Sequence, residues 1–459
     1  MTAPARLAAL RVLRDVHTGR NNLPTSQAVS RATLTDPRDR ALATEIVLGT
    51  LRWRAQVDHV IQLASSRPLH RIDGDVLDVL RLSTYQLLHL KRVPARAVVH
   101  DGVELTRALG AKGKHSAGAY VNAVLRSVAK TVTSGDSLGL PQPSQPSGSG
   151  QRDRETDLEY LSVSMSHPRW LVARWYDRYG FDVTEQWTRF NNGPAPITLR
   201  VNTLATSTPE VTEKLLECGV SVEAGAWAPH SLVVTGGNPL TTDLHDRRLF
   251  WVQDQASQLV AGLVDADPGD RVLDACASPG GKSLVIAGAM GDQGLLVAAD
   301  QSAARIRLLS ETLARVGPRC ASIVQLDARR LPFGPRFEWV VLDSPCTGLG
   351  TLRRDPDIRW RRNPEDLSRM ASMQCELLAG ASTAVVPGGR LLYATCSSEP
   401  DENQNVVTRF LESHPGFSIQ APTAPHLLEC VDDEGFLQTR PDRHGLEGFF
   451  AAVLRRQAS

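Results

Sequence analysis

The stretch RVLDACASPGGKSLVIAGAMGDQGLLVAAD, residues 271–300, determines the fold class of this chain. It starts as a short apolar run, turns at Gly280 and Gly281, continues as a helical segment and returns to a second apolar run. Short strands that alternate with helices are typical of a parallel sheet with crossover helices. The alternation continues toward the C-terminus, so an α/β domain is predicted over residues 251–459.

Five apolar segments supply the parallel strands of this predicted sheet. They are RVLDA, LLVAAD, SIVQL, EWVVL and RLLYA, which begin at residues 271, 295, 322, 338 and 390. Each ends in or just before a loop that carries Asp, Cys or Gly, and open α/β sheets bind their ligands at these carboxyl ends. Near the C-terminus, EGFLQTR and EGFFAAVLRR predict a closing antiparallel hairpin.

Acidic residues end the first three predicted strands, at Asp274, Asp300 and Asp327. Asp300 follows the glycine pair by about 20 residues, where a carboxylate can accept hydrogen bonds from a ribose. The chain has neither a GxGxxG nor a GxxxxGK[ST] motif, so nothing in it is built to cradle a pyrophosphate. The pattern predicts a nucleoside pocket.

Two cysteines follow the last two parallel strands, Cys346 in DSPC and Cys396 in YATCS. The chain has seven cysteines and no CxxC pair, which argues against a disulfide framework and a zinc site, and no metal is expected. A nucleoside pocket beside cysteines suits methylation of cytosine at C5, because a thiolate must first add at C6. A helix that begins near Glu399 or Asp401 is expected to favour the thiolate of Cys396.

Three regions precede the α/β domain. Residues 1–130 carry apolar residues at spacings of three and four, which predicts an all-helical bundle. Residues 131–155 contain a Ser, Gly and Pro-rich stretch that predicts a flexible linker. Residues 156–250 mix a helical stretch with short β-branched segments and predict a small α+β module.

Composition and charge narrow the function classes. No apolar run approaches the roughly 18 residues that a membrane span needs, and the N-terminus lacks a secretory signal, so a cytoplasmic protein without a membrane role is expected. Residues 1–130 hold 20 Lys and Arg against 10 Asp and Glu, whereas the whole chain has a net charge of +1. This surplus predicts a partner that is a polyanion, such as RNA.

Three motifs, CASPGGK (276–282), DSPCTGLG (343–350) and YATCSSEPDEN (393–403), resemble those of RNA (cytosine-C5) methyltransferases. The helical N-terminal region resembles the NusB-like domain of the bacterial Sun/Fmu group, which methylates 16S ribosomal RNA. The resemblance implies a NusB-like RNA-binding bundle, a small α+β RNA-binding module and a Rossmann-like catalytic domain. It also implies S-adenosylmethionine as cofactor and 16S ribosomal RNA, free or partly assembled, as partner, with no obligate protein partner.

The resemblance also assigns roles to residues. Cys396 corresponds to the nucleophile and Cys346 to the residue that assists release of the product, whereas DNA cytosine methyltransferases attack with the cysteine of their PC motif. Asp300 corresponds to the ribose ligand, Asp327 to a residue near the adenine, and Asp343 to one beside the methionine end and the target base. The implied cofactor loop consists of Cys276, Ala277, Ser278, Pro279, Gly280, Gly281 and Lys282.

Two alternatives and one ambiguous segment remain. The catalytic motifs fit a transfer-RNA cytosine methyltransferase equally well, and the helical domain also fits a non-catalytic RNA-binding or assembly protein. The target cytosine must be unstacked before a cysteine reaches C6, which favours a loop or a partly assembled RNA. The basic segment at 353–362 around Trp360 either holds phosphates and stacks a base or packs as a structural anchor.

Overall fold

The computed structural model describes residues 3–109, 114–146, 148 and 150–458. The chain forms two compact units. Unit 1 comprises Met1–Gly193 with Leu352–Arg361, and unit 2 comprises Pro194–Thr351 with Arg362–Ser459. Among the described residues, no helix is both long and apolar enough to cross a membrane.

Unit 1 is built from helices, which confirms the predicted all-helical N-terminal region. Asn22 and Asp73 cap two of these helices by accepting hydrogen bonds from backbone N–H groups of the first turn. Leu80 and Leu82 of the fifth helix are fully buried in a core that also contains Ile46 and Val121. The helices are α1 (Pro4–His17), α2 (Leu23–Thr33), α3 (Pro37–Arg52), α4 (Arg54–Ala64), α5 (Gly74–His89), α6 (Ala95–Ala108), α7 (Lys114–Ser134), α8 (Arg154–Glu159) and α9 (Arg169–Asn192).

The Ser, Gly and Pro-rich stretch between α7 and α8 contacts the helices around it. Gly139 O lies 2.9 Å from a ring nitrogen of His59 in α4. Ser144 N donates a 2.8 Å hydrogen bond to Asp157 of α8, and Ser164 Oγ donates a 2.6 Å bond to Pro141 O. Residues 135–146 therefore pack against the helices of unit 1, an arrangement that the composition does not predict. Ser147 and Ser149 of the predicted linker lie outside the described residues.

Unit 2 begins with a small antiparallel sheet, which confirms the predicted α+β module. Its strand order is β2-β3-β1-β4, and α10 (Thr208–Glu217) and α11 (Asp243–Asp246) connect the strands. The helical part of the predicted 156–250 region, α8 and α9, belongs instead to unit 1. The predicted domain boundaries stay predictions, because compactness alone does not define an independent domain. The strands are β1 (Thr198–Val201), β2 (Ser221–Ala224), β3 (Ser231–Gly236) and β4 (Phe250–Val252).

The larger sheet of unit 2 confirms the predicted α/β fold and its five parallel strands. Its order is β10-β12-β9-β8-β5-β6-β7. Strand β12 pairs antiparallel with both β9 and β11. The pairing of β11 with β12 confirms the predicted C-terminal hairpin. The strands are β5 (Arg271–Asp274), β6 (Leu295–Asp300), β7 (Ala321–Gln325), β8 (Phe337–Asp343), β9 (Val385–Thr395), β10 (Phe417–Ile419), β11 (Leu437–Thr439) and β12 (Phe449–Arg456).

Helices cover both faces of the larger sheet. Successive strand residues point to opposite faces, so Val341 packs in one core and its neighbours Val340 and Leu342 in the other. Burial on both faces explains why these strands read as continuous apolar runs. The helices of this part are α12 (Gln255–Gly262), α13 (Gly281–Ala289), α14 (Ala303–Val316), α16 (Pro364–Ser382), α17 (Gln404–Ser413) and α18 (Pro441–His444).

The basic segment Leu352–Arg361, which ends in the short helix α15 (Ile358–Arg361), folds into unit 1 as an anchor. Arg359 is fully buried, and its guanidinium donates to five oxygens, including Arg52 O, Ser166 O and the side chain of Asn192. Trp360 Nε1 donates a 2.6 Å hydrogen bond to Leu51 O. Of the two interpretations of this segment, the structure therefore supports packing for Arg359 and Trp360, because the terminal guanidinium nitrogens of Arg359 and the indole N–H of Trp360 already have protein partners.

Candidate active site

Four parallel strands bring the predicted site residues to one edge of the larger sheet. The strands β5, β6, β8 and β9 are in parallel register, so Asp274, Asp300, Asp343 and Thr395 all lie at carboxyl ends on the same edge. Cys396 directly follows Thr395. This is the edge at which open α/β sheets bind ligands.

The loop after β5 needs glycine where it turns into α13. Gly280 has φ +110°, a conformation that favours glycine, and a Cβ there would be crowded at 3.0 Å from Leu309 Cδ1. Asp274 anchors the start of the loop by accepting a 2.6 Å hydrogen bond from Ser283 Oγ of α13. Burial raises the pKa of the Asp274 carboxyl to about 7.

The residues of the predicted cofactor loop differ in their burial and in their contacts. Ala277 is buried against Leu284 and Leu309, whereas Pro279 is exposed. Ser278 O accepts a 3.4 Å hydrogen bond from Arg305 of α14. Cys276 lines a cavity at the edge of the sheet, and burial raises the pKa of its thiol above the usual range. The roles of these residues in cofactor binding stay predictions.

That cavity has a volume of about 150 Å³, and Cys276, Asp300, Asp327, Pro345 and Met373 are among its lining residues. Asp300 is buried; its Oδ1 accepts a 3.0 Å hydrogen bond from Ser302 N, while Oδ2 has no hydrogen-bond partner and lies 3.5 Å from Arg305 Nε. A ribose hydroxyl would supply the missing donor, so Asp300 fits a nucleoside cofactor.

Asp327 differs from Asp300 because its carboxylate is already engaged. Arg329 Nη2 lies 2.7 Å from Asp327 Oδ2, and Gln301 donates a 3.1 Å hydrogen bond to the same atom. The hydrogen bonds from Arg329 hold the pKa of Asp327 below its ordinary value. Asp327 therefore lines the cavity as half of an ion pair.

Lys282 and Asp343 form an ion pair that the sequence alone does not reveal. Lys282 Nζ donates a 2.6 Å hydrogen bond to Asp343 Oδ2, and both side chains are mostly buried. Burial opposes the ammonium charge, yet Asp343, with Cys396 and Asp274 adding to its effect, raises the pKa of Lys282. Lys282 therefore carries a positive charge next to Cys396, and such a charge favours a thiolate.

The two candidate catalytic cysteines meet. Cys346 Sγ and Cys396 Sγ lie 3.2 Å apart as free thiols. The hydrogen bond to Cys396, together with burial, raises the pKa of Cys346 well above its usual value. Burial and this hydrogen bond therefore favour the neutral thiol of Cys346. Within the described residues, no cluster of His, Cys, Asp or Glu is arranged to hold a metal ion.

The turn after Cys396 differs from the prediction. A 3₁₀ turn occupies Pro400–Glu402, and helix α17 starts only at Gln404. A helix thus begins near Glu399, as predicted, but as a short 3₁₀ turn for which Glu399 is the N-cap, and the longer α17 follows it. Cys396 also interacts electrostatically with Lys282 and contributes to the raised pKa of that lysine.

Glu402 at the end of this turn was not predicted as a site residue. Its carboxylate is buried and accepts hydrogen bonds from Thr347 and Ser397, the residues that follow the two cysteines. Its presence in EPDEN is visible in the sequence, but the direction of its side chain depends on how the two loops fold together.

Three stretches of the chain match described families. Residues 3–130 match the NusB family, and residues 167–241 match the ferredoxin-like domain described as RsmF/B-like. Residues 261–455 match the family described as 16S rRNA methyltransferase RsmB/F. The matches fall in the helical part, the region of the small sheet and the larger sheet, respectively.

Relatives resemble the chain along its whole length. It is 32% identical to the probable ribosomal RNA small subunit methyltransferase B of Bacillus subtilis, with 95% of each chain covered. It is 33% identical to the ribosomal RNA small subunit methyltransferase B of Pseudomonas putida, with 99% of each covered. The crystal structure of PH0851 matches with a TM-score of 0.80 at 26% identity, and 99% of each chain is covered.

Proposed function

The chain belongs to the RsmB/F family of 16S rRNA methyltransferases, which depend on S-adenosylmethionine, and we propose that it methylates C5 of a cytosine in 16S ribosomal RNA through a covalent adduct with Cys396. The observation that carries this proposal is the 3.2 Å separation of Cys346 Sγ and Cys396 Sγ beside the Lys282–Asp343 ion pair. A ribosomal RNA substrate would place the activity in the cytoplasm.

The two cysteines divide the reaction. Cys396, as a thiolate, adds to C6 of the cytosine, and the electron pair displaced from the C5–C6 bond makes C5 nucleophilic. After C5 has gained the methyl group, a base removes the C5 proton, and the electron pair of that C–H bond re-forms the C5–C6 double bond as the C6–S bond breaks and the cysteine leaves as a thiolate. Cys346, 3.2 Å away, assists this release, because its sulfur lies beside the bond that breaks. Lys282 supplies the positive charge that favours ionised Cys396.

The cofactor site is proposed at the carboxyl ends of β5, β6 and β8. S-adenosylmethionine supplies an electrophilic methyl group when it is bound. Asp300 Oδ2, buried without a hydrogen-bond partner, would accept from the ribose, and Asp327 would lie near the adenine. The loop from Cys276 to Lys282 would contact the cofactor through its backbone groups, because the turn at Gly280 allows close approach. Asp343 would lie at the methionine end, beside the target base.

We further propose that the helical part of unit 1 binds the RNA backbone in the groove between α6 and α7. The groove has a volume of about 1280 Å³ and is lined by the exposed cations Arg96, Arg107, Arg126 and Lys130. The acid among its lining residues, Glu104, forms an ion pair with Arg107. Such a surplus of positive charge attracts phosphates.

Incubation of the full chain with labelled S-adenosylmethionine and deproteinised small-subunit RNA tests the proposed activity. The expected product is 5-methylcytidine at one position of 16S RNA, identified by nucleoside analysis and fragment mapping. The family names favour ribosomal RNA over transfer RNA, and a parallel incubation with bulk transfer RNA separates the two. Label in transfer RNA alone, or in a base other than cytosine, would contradict the proposal.

A further inference from the structure

A single buried carboxylate connects the loops that carry the two cysteines. Glu402 Oε1 accepts a 2.8 Å hydrogen bond from Thr347 N, and Oε2 accepts 2.5 Å bonds from Thr347 Oγ1 and Ser397 Oγ. Thr347 follows Cys346, and Ser397 follows Cys396. The residue that follows each cysteine is therefore hydrogen-bonded to the carboxylate of Glu402.

The neighbouring helix α16 completes this arrangement. Gln374 Nε2 donates a 3.1 Å hydrogen bond to Glu402 Oε1 and a 2.9 Å bond to Pro345 O. The Cys346 loop is therefore held on both sides of the cysteine, at Pro345 and at Thr347. Four donors reach the two carboxylate oxygens of Glu402, and a neutral side chain would hold such a set of donors less strongly.

Glu402 is also fixed in place through its own backbone. Tyr393 Oη, from the last parallel strand, donates a 2.5 Å hydrogen bond to Glu402 O. Asn403 Nδ2 donates a 2.9 Å bond to Ser397 O, and Thr395 Oγ1 donates a 2.5 Å bond to Asn403 Oδ1. These bonds order the turn in which Glu402 sits, so its carboxylate is a rigid support.

Resting on the proposed two-cysteine function, we propose that Glu402 is a positioning residue that sets the distance between Cys346 and Cys396 and keeps Cys346 as the neutral partner of the pair. It does not touch the cytosine. Its four hydrogen bonds hold the residues beside both cysteines, and the Cys346 loop contributes two of the four donors. Burial raises the pKa of the Glu402 carboxyl, whereas the hydrogen bonds from Ser397, Thr347 and Gln374 favour its charged form.

The charges around Cys346 support the second part of this proposal. The hydrogen bond to Cys396 and burial raise the pKa of Cys346 most, and the negative charge of Glu402 raises it further. Tyr393, itself buried, faces the same thiol and stays neutral because burial raises its pKa. Arg362 Nη2 lies 3.4 Å from Cys346 O and its Nε donates to Thr347 O, so this cation binds loop carbonyls. The raised pKa of Cys346 thus depends in part on Glu402.

Glu402→Gln tests the charge at constant shape, because the amide can still accept from Thr347 N and Gln374. In the full chain we expect the initial rate of methyl transfer to fall by about tenfold or more. We also expect the midpoint of the pH profile for alkylation of Cys346 by iodoacetamide, followed by peptide mass spectrometry, to fall by about one pH unit. Because loosened packing would also hydrate the Cys346 thiol and lower this midpoint, the shift reports the charge of Glu402 only if the urea unfolding midpoint of the variant equals that of the wild type.

Two further variants make the test specific. Glu412→Gln removes an exposed carboxylate from α17 and should leave both readouts unchanged. Ser397→Ala removes one bond on the Cys396 side, and it should slow methyl transfer while leaving the Cys346 profile in place. If Glu402→Gln fails to fold, Ser397→Ala still tests whether Glu402 sets the distance between the cysteines. We expect this variant to slow methyl transfer and to leave the pH profile for alkylation of Cys346 unchanged.

The outcomes separate this proposal from the proposed function. An unshifted Cys346 profile and a wild-type rate in folded Glu402→Gln would overturn the positioning role, provided that Cys396→Ala abolishes methyl transfer. If Cys396→Ala retains full activity, the two-cysteine function itself is wrong.

Discussion

Lys282 Nζ lies 2.6 Å from Asp343 Oδ2, and this ion pair joins the loop after β5 to the end of β8 beside the cysteine pair. Lys282→Met deletes the charge and keeps the length of the side chain. Because positive charge favours the thiolate, we expect methyl transfer and alkylation of Cys396 near neutral pH to fall by about tenfold or more. Lys282→Arg should restore part of both rates.

The matched control for this prediction is Lys214→Met, which removes a lysine paired with Glu210 on the surface of α10. Its rates should equal those of the wild type. If Lys282→Met also retained the wild-type rates of methyl transfer and Cys396 alkylation, the ion pair would have no role in activating Cys396.

Asp300 and Asp327 line the same cavity but should differ in their importance for cofactor binding. Asp300→Asn replaces a buried carboxylate, whose Oδ2 has no hydrogen-bond partner and lies 3.5 Å from Arg305 Nε, by a neutral amide, so we expect affinity for S-adenosylhomocysteine to fall by about ten- to hundredfold. Asp327→Asn should cost less, because Arg329 already occupies that carboxylate. Isothermal titration calorimetry measures both, and a larger loss for Asp327→Asn would refute this ranking.

Asp274 makes the stability of the cofactor-free protein depend on pH. Burial raises the pKa of its carboxyl from 3.8 to about 7. The folded chain holds the proton up to about pH 7, whereas the unfolded chain releases it near pH 4, so this stabilising contribution is lost as pH rises through 7.

Asp274→Asn removes this titration and keeps an acceptor for Ser283. Between pH 5 and pH 7, the free energy of unfolding of the wild type should fall relative to that of the variant by up to about 1.4 kcal/mol per pH unit. Urea unfolding of both proteins at several pH values provides the measurement. A difference that does not change with pH would show that Asp274 does not titrate in this range.

The groove between α6 and α7 predicts how RNA affinity responds to salt. Removing two phosphate contacts in Arg126→Ala/Lys130→Ala should lower the slope of log affinity against log salt by about 1.5. Arg20→Ala/Arg31→Ala removes two exposed arginines outside the groove and should change the slope little. Fluorescence anisotropy with labelled RNA measures the slopes. Equal slopes for the two double variants would exclude the groove as the phosphate site.

The sequence predicts the fold well where periodicity carries the information. Alternating apolar runs place the five parallel strands correctly, and the residues at their ends include both cysteines. By contrast, the burial of Arg359 could not be predicted. A cluster of arginines around a tryptophan has the same sequence pattern whether the arginines bind phosphates or protein carbonyl oxygens. Four of the five acceptor oxygens of Arg359 lie about 170 to 310 residues away in the chain.

The same limit explains why the contact between Lys282 and Asp343 was not predicted, although both residues were predicted to lie in the site. The motif CASPGGK contains Lys282, and DSPC contains Asp343, but only the folded sheet brings their side chains together over a separation of 61 residues. The packing of Arg359 and Trp360 against Arg52 and Leu51 also means that deletion of residues 1–130 would remove partners of the segment that follows the Cys346 loop. Point variants in the groove are therefore the cleaner test of RNA binding.

The roles of Cys396 and Cys346 are tested most directly by the protein–RNA adduct that survives denaturation. The full chain, Cys396→Ala and Cys346→Ala are incubated with S-adenosylmethionine and 16S RNA and then separated on a denaturing gel. With Cys396 as nucleophile and Cys346 assisting release, Cys396→Ala should form neither adduct nor methylated product, and Cys346→Ala should accumulate the adduct. An adduct that persists in Cys396→Ala and is missing in Cys346→Ala would contradict this assignment and exchange the two roles.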